Sequence, residues 1–444
     1  MWRFAKSPLQ NCLILSAILL SILFQFPQPD LDLNYYTLLA SDYASSNKKN
    51  TDAGAPLHGV KIVITGATSG IGLSLTKLLH NLGGTIIVIG RNTSKLAKLE
   101  AMLDYGIIDT DGDSSTDNNN NNNNNKSSKR LHKRIIPILA DFTDMESVST
   151  AADTIRSKFK TIDILINNAG MIYPTSIYPN YFGDDIETST PQGYDRVFTV
   201  NYLAHFLLTE KLFPSLKRSK MKRGARIIQV SSSGHFMVNG EDLGPTTTAT
   251  IDNDTASSSP LASQPAASSS QAIEAYMNSK LALIYHMRSL NARESESLDG
   301  SNRDTNSKHA TPTVKAVGIC PSWVATNIIG PEFTVRPLMD MLAFSPDGFG
   351  IASILFAMFH PYAGLEGSDY VDNTNKRWFF IHLPRYVPEG VMDRLQNVGF
   401  LVLGLTQKFA SGVYFGKSSQ DSYDVVKRDA LFEWSKVAVE PWLK

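Results

Sequence analysis

Tyr276 and Lys280 stand four residues apart in Tyr276-Met277-Asn278-Ser279-Lys280. If residues 271–290 form a helix, a phenol and an ammonium share one face about a turn apart. The ammonium then stabilises a phenolate and draws the tyrosine's pKa down from its ordinary value of about 10, which a phenol needs to exchange protons near neutral pH. On a bland surface helix the same two residues are only an aromatic ring lying on a lysine stem. The chemistry therefore needs companions. Three stretches offer them: the glycine-rich run Thr65-Gly66-Ala67-Thr68-Ser69-Gly70-Ile71-Gly72, the turn Asn167-Asn168-Ala169-Gly170, and the consecutive hydroxyls Ser231, Ser232 and Ser233.

The elements that would position these groups follow a regular order. Val60 to Ile64 is a β-branched run, and beyond the glycines Leu73, Leu75, Leu78, Leu79 and Leu82 fall at helical spacing. Strand, glycine turn and helix in that order suit a dinucleotide, because glycine permits the tight turn and the helix N-terminus receives the pyrophosphate. Thr85 to Ile89 reads as a second strand ending at Gly90-Arg91, and Arg134 to Leu139 as a third, followed by Ala140-Asp141. Ile162 to Ile166 is apolar apart from one Asp, as in a strand buried on both faces, and leads into the paired asparagines. Val197 to Phe206 reads as a helix carrying Asn201, and Arg226 to Val230 as a strand whose carboxyl end presents the three serines. Val314 to Ile319 is a further strand, ending in Cys320-Pro321-Ser322-Trp323-Val324-Ala325-Thr326. The alternation predicts a single α/β domain over residues 58–440, a doubly wound parallel sheet of about seven strands with helices on both faces.

Composition narrows the function. With 444 residues and 42% apolar content the chain can bury a large core, and 42 basic against 42 acidic residues leave no field to hold nucleic acid. The two cysteines, Cys12 and Cys320, have neither metal-ligand nor disulfide-framework spacing. Residues 9–26 are strongly apolar behind Arg3 and Lys6. Eighteen helical residues reach roughly 27 Å, enough for the core of a bilayer. Residues 1–27 are therefore read as a single-pass anchor; the rival is a cleaved signal peptide, against which stands the Pro27-Gln28-Pro29-Asp30 that follows. Arg3 and Lys6 before the run, with Asp30 and Asp32 after it, put the N-terminus in the cytosol. Residues 28–57 read as a polar linker. Two low-complexity insertions are expected, at 109–130, where Asn118 to Asn125 is unbroken, and at 239–271. The short apolar runs Ile351 to Phe359 and Val398 to Leu405 read as core helices or as a lid over the substrate.

Thr-Gly-x-x-x-Gly-x-Gly, Asn-Asn-Ala-Gly, a serine after the central strand and Tyr-x-x-x-Lys, in this order, resemble the short-chain dehydrogenase/reductase family. Ser411 to Gly416 and Leu431 to Ser435 resemble the end of its retinol dehydrogenase-like branch. The resemblance implies hydride transfer between a nicotinamide cofactor and an alcohol or carbonyl. Asn201, Ser232, Tyr276 and Lys280 would form the catalytic set, with Ser231 and Ser233 as one-residue alternatives for the serine. Thr65, Gly66, Ser69, Gly70, Ile71, Gly72, Asn168, Ala169, Gly170, Pro321, Val324 and Thr326 would line the cofactor, along with Tyr276 and Lys280. Asp141 would contact the adenine; capping the next helix explains it equally well. Arg91 takes the place of the acid that holds the ribose of NAD, and so favours NADP(H) over NAD(H), unless it is a solvated charge. Ser322 departs from the family's glycine, and Ser69 from the basic residue common in NADP-using members. The implied partners are a small hydrophobic substrate (retinoid, steroid or other lipid), an endoplasmic reticulum membrane, and a second copy of the chain as a homodimer. A sterol 3-ketoreductase and a cofactor-binding scaffold without turnover are the alternatives.

Overall fold

The computed structural model describes residues 30–44, 55–104, 133–173, 187–243, 260–301, 313–321, 324, 326, 328, 345–365, 369–374, 411–415 and 417–444. The β-branched runs form the centre of one sheet: β1 (Lys61–Thr65), β2 (Thr85–Gly90), β3 (Ile135–Leu139), β4 (Ile164–Asn167), β5 (Ala225–Val230), β6 (Val314–Cys320), β7 (Tyr370–Thr374) and β8 (Ser411–Phe415). Their spatial order is β3-β2-β1-β4-β5-β6-β7-β8. The first seven are parallel and β8 is antiparallel to β7, so the expected parallel sheet carries one reversed edge strand.

Strand order reverses between β1 and β4, and such a reversal opens a crevice beyond the carboxyl ends of the two strands. Both the glycine turn and the Asn167–Gly170 turn leave the sheet there. The core lies in two layers. On one face α1 (Leu33–Ala44), α2 (Gly70–Asn81), α3 (Thr93–Asp104) and α7 (Ala352–Phe359) pack on the sheet. On the other lie α4 (Met145–Lys158), α5 (Arg196–Leu216), α6 (Ser269–Ser301) and α8 (Val425–Leu443). Helix α5 is continuous but opens into a π-helical stretch at Thr199–Leu203. Ile62, Ile64, Ile164, Ile166 and Ile228 are fully buried, each contributing roughly 1.5–3 kcal/mol through removal from water.

Three expectations change. The segment read as a linker contains α1, started by Asp32, whose carboxylate accepts from the amide of Tyr35 at 3.0 Å. Tyr36, Ala40 and Tyr43 recur at helical spacing on its buried side. The second insertion is folded at both ends: Leu243 is buried, and the carbonyl of Ser263 accepts from the amide of Asp195 at 2.7 Å. The helix expected over 271–290 runs on as α6 for three further turns, because its polar groups clamp β6. Asn291 bonds both backbone groups of Ala316 at 2.9 Å, and Glu294 accepts from Thr313 at 2.8 Å. The apolar runs at 9–26 and 398–405 and the asparagine tract lie outside the described residues. Among those described, no helix is long and apolar enough to cross a membrane.

Candidate active site

The glycine turn is built by close approach. Gly66 (φ +66°) and Gly70 (φ +51°) hold a left-handed conformation that disfavours side chains. A Cβ on Gly72 would lie 2.3 Å from the carbonyl oxygen of Gly66, and one on Gly70 would lie 3.0 Å from Thr326, which places Thr326 against the first turn of α2. Ser69 occupies the N-cap without a side-chain hydrogen bond, so it leaves the first amides of α2 free to receive an anion. Residues that exclude a Cβ, around uncapped amides at the switch point of a parallel sheet, fit the pyrophosphate of a nicotinamide dinucleotide. Pro321 and Val324 are buried and Ile71 is half-buried.

Thr65 differs from its expected role. It is fully buried, and its hydroxyl accepts from the amides of Asn168 at 2.9 Å and Ala169 at 2.8 Å, so the side chain ties β1 to the loop after β4 instead of facing a ligand. Asn168 returns the link through its side-chain amide, 2.9 Å from the carbonyl of Thr65. Asn167 bridges to Thr209 and Gln229 at 3.0 and 3.1 Å, joining β4 to α5 and β5. Asp141 does not cap α4. Its Oδ1 accepts from the amide and hydroxyl of Thr143, while Asp144 is the cap. Arg91 is exposed just beyond the end of β2.

Asn201, Ser232, Tyr276 and Lys280 come together at the carboxyl edge. The Lys280 ammonium lies 5.5 Å from the Tyr276 ring centroid and donates to the carbonyl of Val230 at 3.1 Å, which leaves two of its three donors for other partners. Of the three serines, Ser231 is buried and spends its hydroxyl on the carbonyl of Lys280 at 2.8 Å, whereas Ser232 faces the phenol and lowers its pKa by hydrogen bonding. Asn201 is fully buried within the π-helical stretch; its side chain bonds Met171 on both backbone groups and Ser279 at 3.0 Å. A Cβ on Gly170 would stand 3.4 Å from both Asn201 Oδ1 and Lys280 Nζ, so the Asn-Asn-Ala-Gly turn abuts this cluster.

The electrostatics depart from expectation in one respect. Burial pushes the Tyr276 phenol up, with Ser232 only partly offsetting it, and burial draws the Lys280 ammonium down to about 8. Desolvation is the largest influence on both groups in the protein alone. Sequence reasoning missed His205 and the thiol of Cys320. Both are buried, and Cys320 is coupled electrostatically to Tyr276 and Lys280, raising both. The placement of Cys320 at the end of a strand beside the active loop was the available signal. A 440 Å³ groove lined by Tyr194, Trp434 and Trp442 includes none of these residues.

The sequence profile of the short chain dehydrogenase family matches residues 114–241. Polyprenol dehydrogenase of Homo sapiens is 26% identical over 321 residues, covering 71% of this chain and 77% of that protein. Retinol dehydrogenase 14 of Mus musculus is 25% identical over 375 residues, covering 81% and 91%. Dehydrogenase/reductase SDR family member 7B of Xenopus laevis is 32% identical over 187 residues, and the match spans 42% of this chain and about half (48%) of that relative. A solved structure of an uncharacterized protein from Mycobacterium paratuberculosis shares the fold, with a TM-score of 0.50 at 20% identity over 86% of this chain and 94% of that one. Its sheet, its ordered motifs and these relatives make the chain similar to the short-chain dehydrogenase/reductase family and support an oxidoreductase acting on CH–OH groups.

Proposed function

We propose that the protein interconverts a hydrophobic alcohol and its aldehyde or ketone with NADP(H), and that Tyr276, Lys280, Ser232 and Asn201 do the work. The observation that carries the reading is the convergence of a phenol, a serine hydroxyl and a buried ammonium at the mouth of the glycine turn. The bound nicotinamide supplies or accepts the hydride. In the reductive direction the carbonyl carbon gains that hydride while Tyr276 gives its proton to the oxygen; in the oxidative direction the phenolate takes the proton back. Ser232 donates to the same oxygen and stabilises the charge developing there. Lys280, still largely protonated at neutral pH with a pKa of about 8, favours the phenolate across 5.5 Å and has donors left for the cofactor ribose.

Relatives named for polyprenol and retinol favour a long apolar substrate, and residues 9–26 favour a membrane tether near it. The test is turnover by full-length protein with NADPH and NADP⁺ against a panel of lipid carbonyls and alcohols, with Tyr276→Phe alongside. The variant keeps the ring and loses the exchangeable proton, so turnover should fall by about 10²-fold or more while cofactor binding stays within a few-fold. Equal turnover by both proteins would exclude Tyr276 as the proton donor.

A further inference from the structure

His205 lies one turn after Asn201 in α5 and is fully buried. Its Nδ1 is 3.0 Å from the carbonyl oxygen of Asn201, and its Nε2 is 2.8 Å from Thr65 Oγ1. A carbonyl can only accept, so the ring proton sits on Nδ1 and Nε2 is an acceptor. Thr65 already accepts from the amides of Asn168 and Ala169, which leaves its single proton to give. The nearer acceptor is His205 Nε2; the carbonyl of Ile166 is 3.4 Å away. One directional chain results, running from two loop amides to the hydroxyl, to the imidazole, to the Asn201 carbonyl. It satisfies every donor in only one arrangement, with a neutral imidazole carrying its proton on Nδ1. It joins three segments far apart in sequence: the end of β1, the Asn167–Gly170 turn and the π-helical stretch.

We propose that His205 is a positioning residue for the reaction, acting through Asn201 and Thr65 to hold the π-helical carbonyl and the cofactor turn in register with Tyr276 and Lys280. The proposal rests on the catalytic reading above. Asn201 lies within the π-helical stretch, and the imidazole takes one of the two lone pairs of its carbonyl. The environment holds the imidazole neutral. Burial draws it down to about 3, its coupling to Lys280 and His286 acts in the same direction, and the Asn201 bond opposes them. The Phe142 ring packs 5.0 Å from it and brings no charge.

The test uses full-length protein carrying ¹⁵N-labelled histidine. His205 should give the neutral Nδ1–H signature from pH 5 to 9, and Thr65→Val, which removes the donor to Nε2, should shift the Nε2 resonance. His205→Phe keeps a ring against Phe142 and removes both hydrogen bonds. It should fold cooperatively and lower kcat about tenfold or more. The acid limb of its kcat profile should move, with KM for the substrate nearly unchanged. His205→Gln, which retains one donor, should recover part of the loss. A His205 resonance that titrates between pH 5 and 8, an Nε2–H signature, or a His205→Phe enzyme with wild-type kcat and pH profile would each overturn the proposal. If His205→Phe does not fold, the wild-type tautomer and the Thr65→Val shift decide. If the wild type turns over no substrate, the catalytic reading fails and the resonance still reports the hydrogen-bond chain.

Discussion

Under the proposed function, cofactor choice rests on a single side chain, Arg91. It is exposed just beyond the end of β2, where the proposed function puts the adenosine ribose, and its guanidinium can pair with a 2′-phosphate through charge-assisted bonds. Such bonds are worth roughly 1.5–3 kcal/mol, which at about 1.4 kcal/mol per tenfold becomes a preference for NADP(H) of one to two orders of magnitude. Arg91→Asp should reverse it, raising KM for NADPH far more than KM for NADH and leaving kcat nearly unchanged. Steady-state kinetics with both cofactors check this. Equal wild-type efficiencies with NADPH and NADH would make Arg91 a solvated charge. The absence of a second cation at Ser69 sets the lower end of the expected range.

At the scale of elements, α1 is the part whose docking is most open to measurement. Tyr43 buries its ring against Phe359, 5.8 Å between centroids, and its hydroxyl lies 3.1 Å from the carbonyl of Gly224 and 3.3 Å from that of Asp163. Asp42 pairs with Arg223 next to it. The helix is thus held to the amino-terminal edge of β4 and β5, away from the active edge. Tyr43→Phe should cost about 0.5–1.5 kcal/mol through the lost hydrogen bond. Tyr43→Ala should cost about 3–5 kcal/mol through the lost ring and the cavity it leaves. Both should spare kcat. Urea unfolding of the full chain reads the difference, and two variants within experimental error of wild type would mean that α1 does not hold to the sheet in solution.

The whole molecule carries a pH signature in its buried and half-buried imidazoles. His80, His205, His286 and His360 are each held below the ordinary value of about 6.5, in every case first by burial. A histidine with a lowered folded pKa binds fewer protons when folded than when unfolded. Its stabilisation is therefore present above the unfolded value and is lost as pH falls below it. For His205 the window extends from about 6.5 to its folded value of about 3. Asp195 and Glu274, raised by burial, act in the opposite sense, beginning nearer the carboxylate range. Thermal unfolding should thus move to lower temperature between about pH 7 and pH 5, before the carboxylates compensate. A midpoint independent of pH across that interval would show that these imidazoles take up protons freely in the folded state.

What the sequence determines by itself is whatever neighbouring residues encode: strand runs in Ile62 to Ile64 and Ile164 to Ile166, a turn that only glycine can make, a tyrosine and lysine one helical turn apart, and hence the parallel sheet, the family and the residue types at the reacting end. These depend on backbone torsion and side-chain period, which are local. The tertiary structure decided which hydroxyl of three faces Tyr276, since Ser231 is claimed by the Lys280 carbonyl. It turned Thr65 inward, folded α1 out of an apparent linker, and let burial raise the Tyr276 phenol against the hydrogen bond from Ser232. It also brought His205 between Thr65 and Asn201. Thr65 and His205 are 140 residues apart, and desolvation and hydrogen-bond partnership at that separation depend on packing, which no local pattern records.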